Sequence, residues 1–242
     1  MQGMWVIYKR ELRSYFNTPI AYIFLPILVG FMSFWFFKYL PFFIEDRADM
    51  RNFFSLMPFV LFVFVPAITM RLWAEELRVG TAEILLTLPY KVPQIVIGKF
   101  LAAYTVLVIG LTLTLGITIG VGFLGDPDWG PIIGGYFGTL LMGAMFVALG
   151  AFISSLTTNQ VVALLVGLIA GVGLVLFFSA RTAIFLIGEG SQLATAFENI
   201  GVETHFSSIE RGVVALSDVL YFVCGTVLFL FLNIFRVESR RY

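Results

Sequence analysis

The sequence has few charged residues, one cysteine and one histidine. Asp, Glu, Lys and Arg make up 12% of its 242 residues and hydrophobic residues make up 60%, whereas a typical soluble domain is about 25% charged and about 45–50% apolar. The formal net charge is zero and no long run of like charges occurs, which argues against a nucleic-acid partner. The single Cys224 excludes a disulfide framework or a cysteine-rich metal site within one chain, and its apolar neighbours predict a packed thiol.

Motifs for catalysis and nucleotide binding are also absent. The sequence contains no H-E-x-x-H or G-x-S-x-G, and Gly98-Lys99 is followed by Phe100, so there is no P-loop. The only histidine, His205, is expected to be a solvated residue of an outer loop. No acid or base lies deep in an apolar segment, which argues against a proton-coupled transporter but leaves sodium sites made of backbone carbonyls open. We therefore expect no catalytic residue, metal or cofactor in this chain.

Long apolar segments dominate the sequence. A membrane-spanning helix needs about 20 mostly apolar residues, and six segments meet that requirement: 20–40, 53–70, 95–124, 132–156, 161–179 and 216–235. The third is longer than a span requires, which predicts either a tilted helix or a break near Gly120 and Gly122. The sequence thus predicts an all-α membrane protein with six transmembrane helices, forming a single domain over residues 1–242.

The distribution of basic residues predicts the orientation. If both termini are cytoplasmic, ten Lys and Arg residues lie inside and five outside, while ten of the fifteen acids lie outside. Basic residues are retained on the cytoplasmic side, so this topology is the favoured one. The residues before the first apolar segment include Lys9, Arg10 and Arg13 without a small-x-small cleavage site, and we therefore expect that segment to remain as a span.

Residues 4–17 carry an amphipathic pattern. Five apolar residues fall on one helical face, with Arg10, Glu11 and Arg13 turned away from it; they are Trp5, Tyr8, Leu12, Tyr15 and Phe16. The pattern predicts a helix at the membrane surface, ended by Pro19, whose aromatic residues sit at headgroup depth and whose basic residues meet the anionic lipid of the cytoplasmic leaflet. The alternative is a frayed, solvated tail.

The most informative segment, residues 73–90, joins the second and third apolar segments. Thr81 before an apolar run, with Glu83 in the first turn, predicts the start of a short helix that Pro89 stops. Gly80 permits a sharp turn before it. Glu75 and Glu76 add an acidic face able to meet a basic partner. An ordinary solvated loop is the alternative interpretation of this segment.

Two further patterns concern packing. Glycines four residues apart, as in Gly116/Gly120, Gly134/Gly138 and Gly167/Gly171, predict close helix contacts, either within one bundle or at a dimer seam. Residues 181–214 are too polar for a complete span and are expected to form short extracytoplasmic helices.

The 75–89 segment, Glu-Glu-x-x-x-Gly-Thr-x-Glu-x-Leu-Leu-Thr-x-Pro, resembles the cytoplasmic signature of type-2 ABC exporter permeases. Residues 18–22, 66–71, 98–100 and 205–213 also resemble the gliding-motility permease subfamily, whose relatives include permeases associated with nitrous oxide reductase maturation. The similarity covers essentially the whole chain.

The resemblance implies a fold and a set of partners. It implies an interfacial helix, six spans and a coupling helix that docks on a separate cytoplasmic ABC ATPase, which would bind the ATP and magnesium. Glu75, Glu76, Gly80, Thr81, Glu83 and Pro89 would then lie at or beside the docking surface, and the turn at 155–160 would make a smaller contact. A second permease chain, most simply forming a homodimer, an auxiliary extracytoplasmic subunit and a bacterial inner membrane are implied as well.

Two alternatives for the function stay open at this point. One is an ATPase-linked complex that does mechanical or signalling work at the membrane, and the other is a stand-alone secondary transporter or membrane enzyme. The sequence does not identify the substrate, although an apolar cavity without buried charges would suit an amphipathic cargo.

Overall fold

The computed structural model describes residues 2–38, 49–87, 89–179, 182 and 199–240. All regular structure in this part of the chain is helical. The helices are α1 (Gln2–Asn17), α2 (Pro19–Lys38), α3 (Arg51–Ser55), α4 (Met57–Thr69), α5 (Arg71–Val79), α6 (Thr81–Thr87), α7 (Val92–Leu124), α8 (Trp129–Leu156), α9 (Gln160–Val172), α10 (Val202–Glu210) and α11 (Leu216–Glu238). A π-helical turn, Gly173–Phe177, continues α9.

The prediction of an all-α membrane protein is confirmed. Within the described residues, five helical segments are long and apolar enough to cross a bilayer: Ala21–Lys38, Met57–Val79, Val92–Leu124, Trp129–Leu156 and Leu216–Glu238. The fifth predicted span, 161–179, corresponds to the shorter apolar helix Gln160–Leu176, about 25 Å long at 1.5 Å per residue.

The boundaries of two spans differ from those predicted. The second does not end at Met70, because the backbone of Met70 is itself α-helical and α5 follows α4 directly. The third does not break near Gly120 or Gly122, since α7 continues through 33 residues to Leu124. At about 50 Å, α7 is longer than the roughly 30 Å apolar layer, so it either tilts or projects beyond that layer.

The helices place both ends of the described chain at one end of the bundle. α7 and α8 are antiparallel, with Gly143 against Leu107, whereas α11 runs parallel to α8, with Gly225 against Met145. We call the end that holds α1, α5, α6 and the C-terminal end of α11 the proximal end. The opposite, distal end holds residues 49–51, 125–128 and 199–213.

The glycine pairs lie on different surfaces of the helices, some facing a neighbouring helix and others facing outward. A Cβ on Gly138 would lie 2.9 Å from the Ile209 side chain, and one on Gly171 would lie 2.6 Å from Phe62, so these glycines permit close packing inside the bundle. Gly116 and Gly120 meet nothing within 4 Å and therefore face outward.

Two expectations for individual residues are wrong. His205 is not a solvated loop residue, because it lies in α10, where its Nδ1 is 2.8 Å from Asp218 Oδ1 and its ring stacks on Tyr221. Cys224 is exposed on the outer face of α11 instead of packed. Of the predicted extracytoplasmic segment 181–214, residues 181 and 183–198 lie outside the described residues.

Candidate functional site

The candidate site lies at the proximal end, where α5 and α6 meet α1 and α7. α5 continues from α4, and its first turn is held by α8. The backbone N–H groups of Trp73 and Ala74 donate to Ser154 Oγ at 3.1 and 3.2 Å, and that hydroxyl donates to the Met70 carbonyl at 2.9 Å. These bonds satisfy N–H groups that a helix N-terminus leaves without partners, and they fix α5 to α8.

α1 packs on the bundle with a row of residues that its apolar pattern did not indicate, apart from Tyr15. Its inward residues are Gly3, Ile7, Glu11 and Tyr15, of which Ile7 and Tyr15 are fully buried. A Cβ on Gly98 of α7 would lie 2.9 Å from the Met4 carbonyl oxygen, so this glycine allows α1 to approach α7 closely.

The five predicted apolar residues of α1 therefore have different environments. Tyr15 donates its hydroxyl to the Ile68 carbonyl at 2.8 Å, whereas Trp5 is 52% exposed. Tyr8, Leu12 and Phe16 are half-buried. Glu11 is not turned away with Arg10 and Arg13, because its carboxylate faces the protein.

Glu11 belongs to a partly buried charge cluster, which comprises Arg10, Glu11, Glu76 and Lys99; Lys99 is its most buried member and Arg10 its most exposed. The Lys99 side chain, 1% exposed, places its Nζ 3.2 Å from Glu11 Oε1 and 3.0 Å from Glu76 Oε2. Arg10 contacts the same two carboxylates at 2.5 and 2.7 Å. With two cations and two anions, the cluster is neutral and joins α1, α5 and α7.

Lys99 has two further partners in α5. Its Nζ donates to the Leu72 carbonyl at 2.8 Å and lies 5.0 Å from the centre of the Trp73 ring, a cation–π geometry. Burial alone would raise the pKa of Glu11, but the charges of Lys99 and Arg10 and their hydrogen bonds outweigh it and lower that pKa.

A second set of bonds ties α1 to α5. Arg71 donates to Thr18 Oγ1 at 3.2 Å and to Ser14 Oγ at 3.1 Å, and its Nε lies 3.5 Å from Glu75 Oε2. Ser14, Arg71 and Glu75 line, together with the charge cluster, an open cavity of about 380 Å³ between α1, α5 and α6.

These contacts change the interpretation of the two glutamates. The Glu76 side chain is only 17% exposed and is neutralised by Lys99 and Arg10, while Glu75 is 43% exposed and paired with Arg71. Both carboxylates therefore have cationic partners within the chain, and Glu75 is the more exposed of the two; a contact of either with a basic partner stays a prediction.

Gly80 separates α5 from α6 and has a left-handed backbone, with φ of +80°. A residue with a Cβ disfavours this conformation by about 1–2 kcal/mol, so glycine suits the turn. α6 then begins at Thr81, with Glu83 in its first turn. It ends at Thr87, two residues before Pro89.

The hairpin of α5 and α6 has a distinct outer surface. Ala82, Leu85 and Leu86 are buried against the bundle. The exposed residues are Arg78, Val79, Gly80, Thr81, Glu83, Ile84 and Thr87, and we call them the hairpin surface. Val79 and Ile84 are 64% and 65% exposed, so this surface includes two apolar side chains among its polar ones.

Sequence reasoning missed the cluster and the two apolar residues. Lys99 was the available signal, because a lone base near the start of a long apolar helix needs a counter-charge when it is buried. Among the described residues, no group of three or more His, Cys, Asp and Glu side chains is placed to hold a metal ion.

The fold and this site define a multi-pass α-helical membrane protein with a short amphipathic hairpin braced at one end of its bundle. The family model described as ABC-2 family transporter protein matches residues 31–235, and the chain belongs to this family of transporter membrane components. The match begins within α2, so α1 lies outside it. A comparison with curated proteins found no match. The predicted gliding-motility subfamily stays a prediction.

Proposed function

We propose that this chain is the permease subunit that couples ATP hydrolysis by a separate ABC ATPase to movement of a substrate across the membrane. In the proposed assembly, two copies of the chain pair with an ATPase dimer, and the ATPase binds ATP and magnesium. The observation that carries the proposal is the hairpin surface, which presents two exposed apolar residues on a rigidly braced support.

The proposed contact is with Val79 and Ile84, the two apolar side chains of the hairpin surface. Val79 and Ile84 are exposed on the same short hairpin as Thr81 and Glu83, so a partner that covers this surface would bury two apolar side chains together with polar neighbours. This arrangement is common in specific protein interfaces, where the energy is concentrated near the centre. Glu75 and Glu76 would hold α5 in position through their ion pairs within the chain, instead of contacting the partner directly.

In this proposal, the contacts that hold α5 to its neighbouring helices transmit force from the ATPase to the membrane-spanning helices. Lys99 and Arg10 hold α5 to α1 and α7, and Ser154 holds it to α8. α5 also continues into α4, so a push on α6 would be carried into a transmembrane helix instead of being absorbed by a flexible loop. Rigid-body displacement of packed helices is a common means of alternating access in transporters.

Retention of the ATPase by the tagged permease during purification tests the contact. Ile84→Asp replaces one of the two exposed apolar side chains with a charge. We expect the permease to bind the ATPase at least about tenfold more weakly, because burying an isoleucine contributes about 1.5–3 kcal/mol. Val213→Asp is a matched control, since Val213 is 64% exposed but lies at the distal end.

Each outcome has a defined meaning. Loss of association in Ile84→Asp, with Val213→Asp unchanged and both variants inserted in the membrane, supports docking at the hairpin. Equal retention of the ATPase by wild type and Ile84→Asp contradicts it. Transport in vesicles that contain the permease without any ATPase would instead favour the stand-alone transporter, and ATP hydrolysis without solute movement would favour mechanical or signalling work.

A further inference from the structure

A second open cavity lies on the outer side of α1, away from the hairpin. Its volume is about 590 Å³, and it is lined by Val6 together with polar residues of α1 and of the turn into α2. The polar lining residues are Lys9, Arg10, Arg13, Ser14, Asn17 and Thr18. None of the lining residues is acidic, so no carboxylate of the lining competes with a ligand for Lys9 and Arg13.

Two of the three cations in this lining carry uncompensated charge. Arg10 is neutralised by Glu11 and Glu76 in the charge cluster. Lys9 and Arg13 are exposed, and neither has an ion pair within the part of the chain that the structure describes. Lys9 lies over the Trp5 ring at 5.6 Å, which orients its ammonium but does not neutralise it. The cavity is therefore positively charged.

The hydroxyl groups of the lining are already ordered. Arg71 donates to both Ser14 Oγ and Thr18 Oγ1. The hydroxyl of Thr18 also donates to the Ser14 carbonyl at 3.0 Å. Both hydroxyl groups therefore have partners within the chain, which leaves Lys9, Arg13 and Asn17 as the groups available to a ligand.

The surroundings of the cavity are apolar and continue along the membrane. α2 begins directly after Thr18, and its outward residues Tyr22, Ile23 and Ile27 are 64%, 58% and 53% exposed. Trp5 and Tyr22 flank the basic residues, and such aromatic side chains favour the boundary between headgroups and acyl chains. A positive, donor-rich cavity therefore opens beside a helix face suited to hydrocarbon.

We propose that this cavity binds the phosphate headgroup of an anionic phospholipid, whose acyl chains lie along the outer face of α2. Lys9, Arg13 and Asn17 contact the headgroup, and Tyr22, Ile23 and Ile27 contact the chains. A free anion matches only the first set and an apolar ligand only the second, whereas an anionic lipid matches both. The lipid also fixes the depth of α1 at the membrane surface. This proposal is independent of the ATPase contact.

Lipid retention by the purified chain in native mass spectrometry tests the proposal. The protein is exchanged into vesicles that contain equal amounts of phosphatidylglycerol and phosphatidylcholine, then extracted gently. We expect wild type to retain phosphatidylglycerol preferentially and Lys9→Gln/Arg13→Gln to lose most of that preference. A basic residue at a membrane surface changes binding to anionic lipid about fivefold, so the double variant loses about thirtyfold.

Two matched variants separate a site from general attraction between charges. Lys9→Arg/Arg13→Lys keeps both charges and is expected to retain the lipid preference. Arg78→Gln/Lys91→Gln removes two exposed charges at the same end of the bundle, outside the cavity, and is also expected to retain it. Equal loss in this variant and in Lys9→Gln/Arg13→Gln would overturn the site in favour of unspecific attraction.

Competition identifies the source of the phosphate. Inorganic phosphate, added at the same ionic strength as a chloride control, is expected to leave phosphatidylglycerol bound, because it lacks the acyl chains that α2 contacts. Displacement of the lipid by inorganic phosphate would overturn the lipid assignment. Equal retention of the two phospholipids by wild type would overturn the proposal as a whole.

Discussion

Lys99 supplies the most deeply buried charge among the ion pairs that bind α1 to the membrane bundle, and replacing it with methionine tests that role. Methionine has a similar length and keeps the contact with Trp73, but it removes the cation between Glu11 and Glu76. Arg10 then faces two carboxylates, whose side chains are only 13% and 17% exposed. Lys99→Met therefore leaves a largely buried negative charge without a partner.

The expected cost follows from that burial. Removing one partner of a buried ion pair typically destabilises a protein by about 3–5 kcal/mol. The two carboxylates keep some exposure, so we expect about 3 kcal/mol, the lower end of that range. For a chain of this size each kcal/mol lowers the unfolding midpoint by about 2–4 °C, which gives about 6–12 °C for Lys99→Met.

Thermal unfolding in lipid nanodiscs, followed by tryptophan fluorescence, measures this shift. Lys91→Met is the matched control, because Lys91 is exposed just before α7, and we expect its midpoint to change by about 1–2 °C at most. The double variant Lys99→Met/Glu76→Gln removes one charge of each sign and leaves the Arg10–Glu11 pair. It should recover more than half of the loss. A midpoint for Lys99→Met within about 2 °C of wild type, or a double variant no more stable than the single, would refute the reasoning.

Two further predictions concern the hairpin turn and the distal end. Gly80→Ala should lower the unfolding midpoint by about 2–8 °C, because φ of +80° costs a residue with a Cβ about 1–2 kcal/mol, and Gly80→Asn should lower it less; equal midpoints would contradict this. Burial raises the pKa of Glu210 to about 7, with Arg211 opposing and Glu203 adding to the shift. Between pH 4.5 and about 7 the Glu210 carboxyl is therefore protonated more fully in the folded state than in the unfolded state. The free energy of unfolding falls as pH rises through this range. Glu210→Gln should reduce the fall of the midpoint over this range, and an unchanged pH profile would contradict the assignment.

The fold was predictable from the sequence because apolar length is a strong signal in a membrane protein. Every spanning helix must satisfy its own backbone, so runs such as 95–124 and 132–156 have few alternatives to a helix. The boundaries were less predictable. α5 adds a polar helical segment to the second span, and hydropathy alone does not show that the backbone at Met70 remains helical.

The face of α1 could not be predicted from its own pattern. Trp5, Tyr8 and Leu12 form the more apolar side, and a helix considered alone would turn that side toward lipid. The pattern does not show that Glu11 faces the bundle, because that placement depends on Lys99: a buried ammonium ion on α7 needs a carboxylate, and Glu11 supplies one across 88 positions of sequence. Pairings of this kind depend on tertiary contacts that no local pattern contains.

The same argument changes the meaning of the acidic pair in the 75–89 segment. Two adjacent glutamates beside a docking helix suggest a charged contact with a partner. Glu76, however, forms ion pairs with Lys99 and Arg10, and Glu75 forms one with Arg71. A charge reversal at Glu76 would put a third cation beside these two and destabilise α1 before it affected any partner. Loss of a partner in such a variant would therefore not identify a docking residue. Substitution at Ile84, which is exposed and makes no such internal bond, separates the proposed docking contact from the support beneath it.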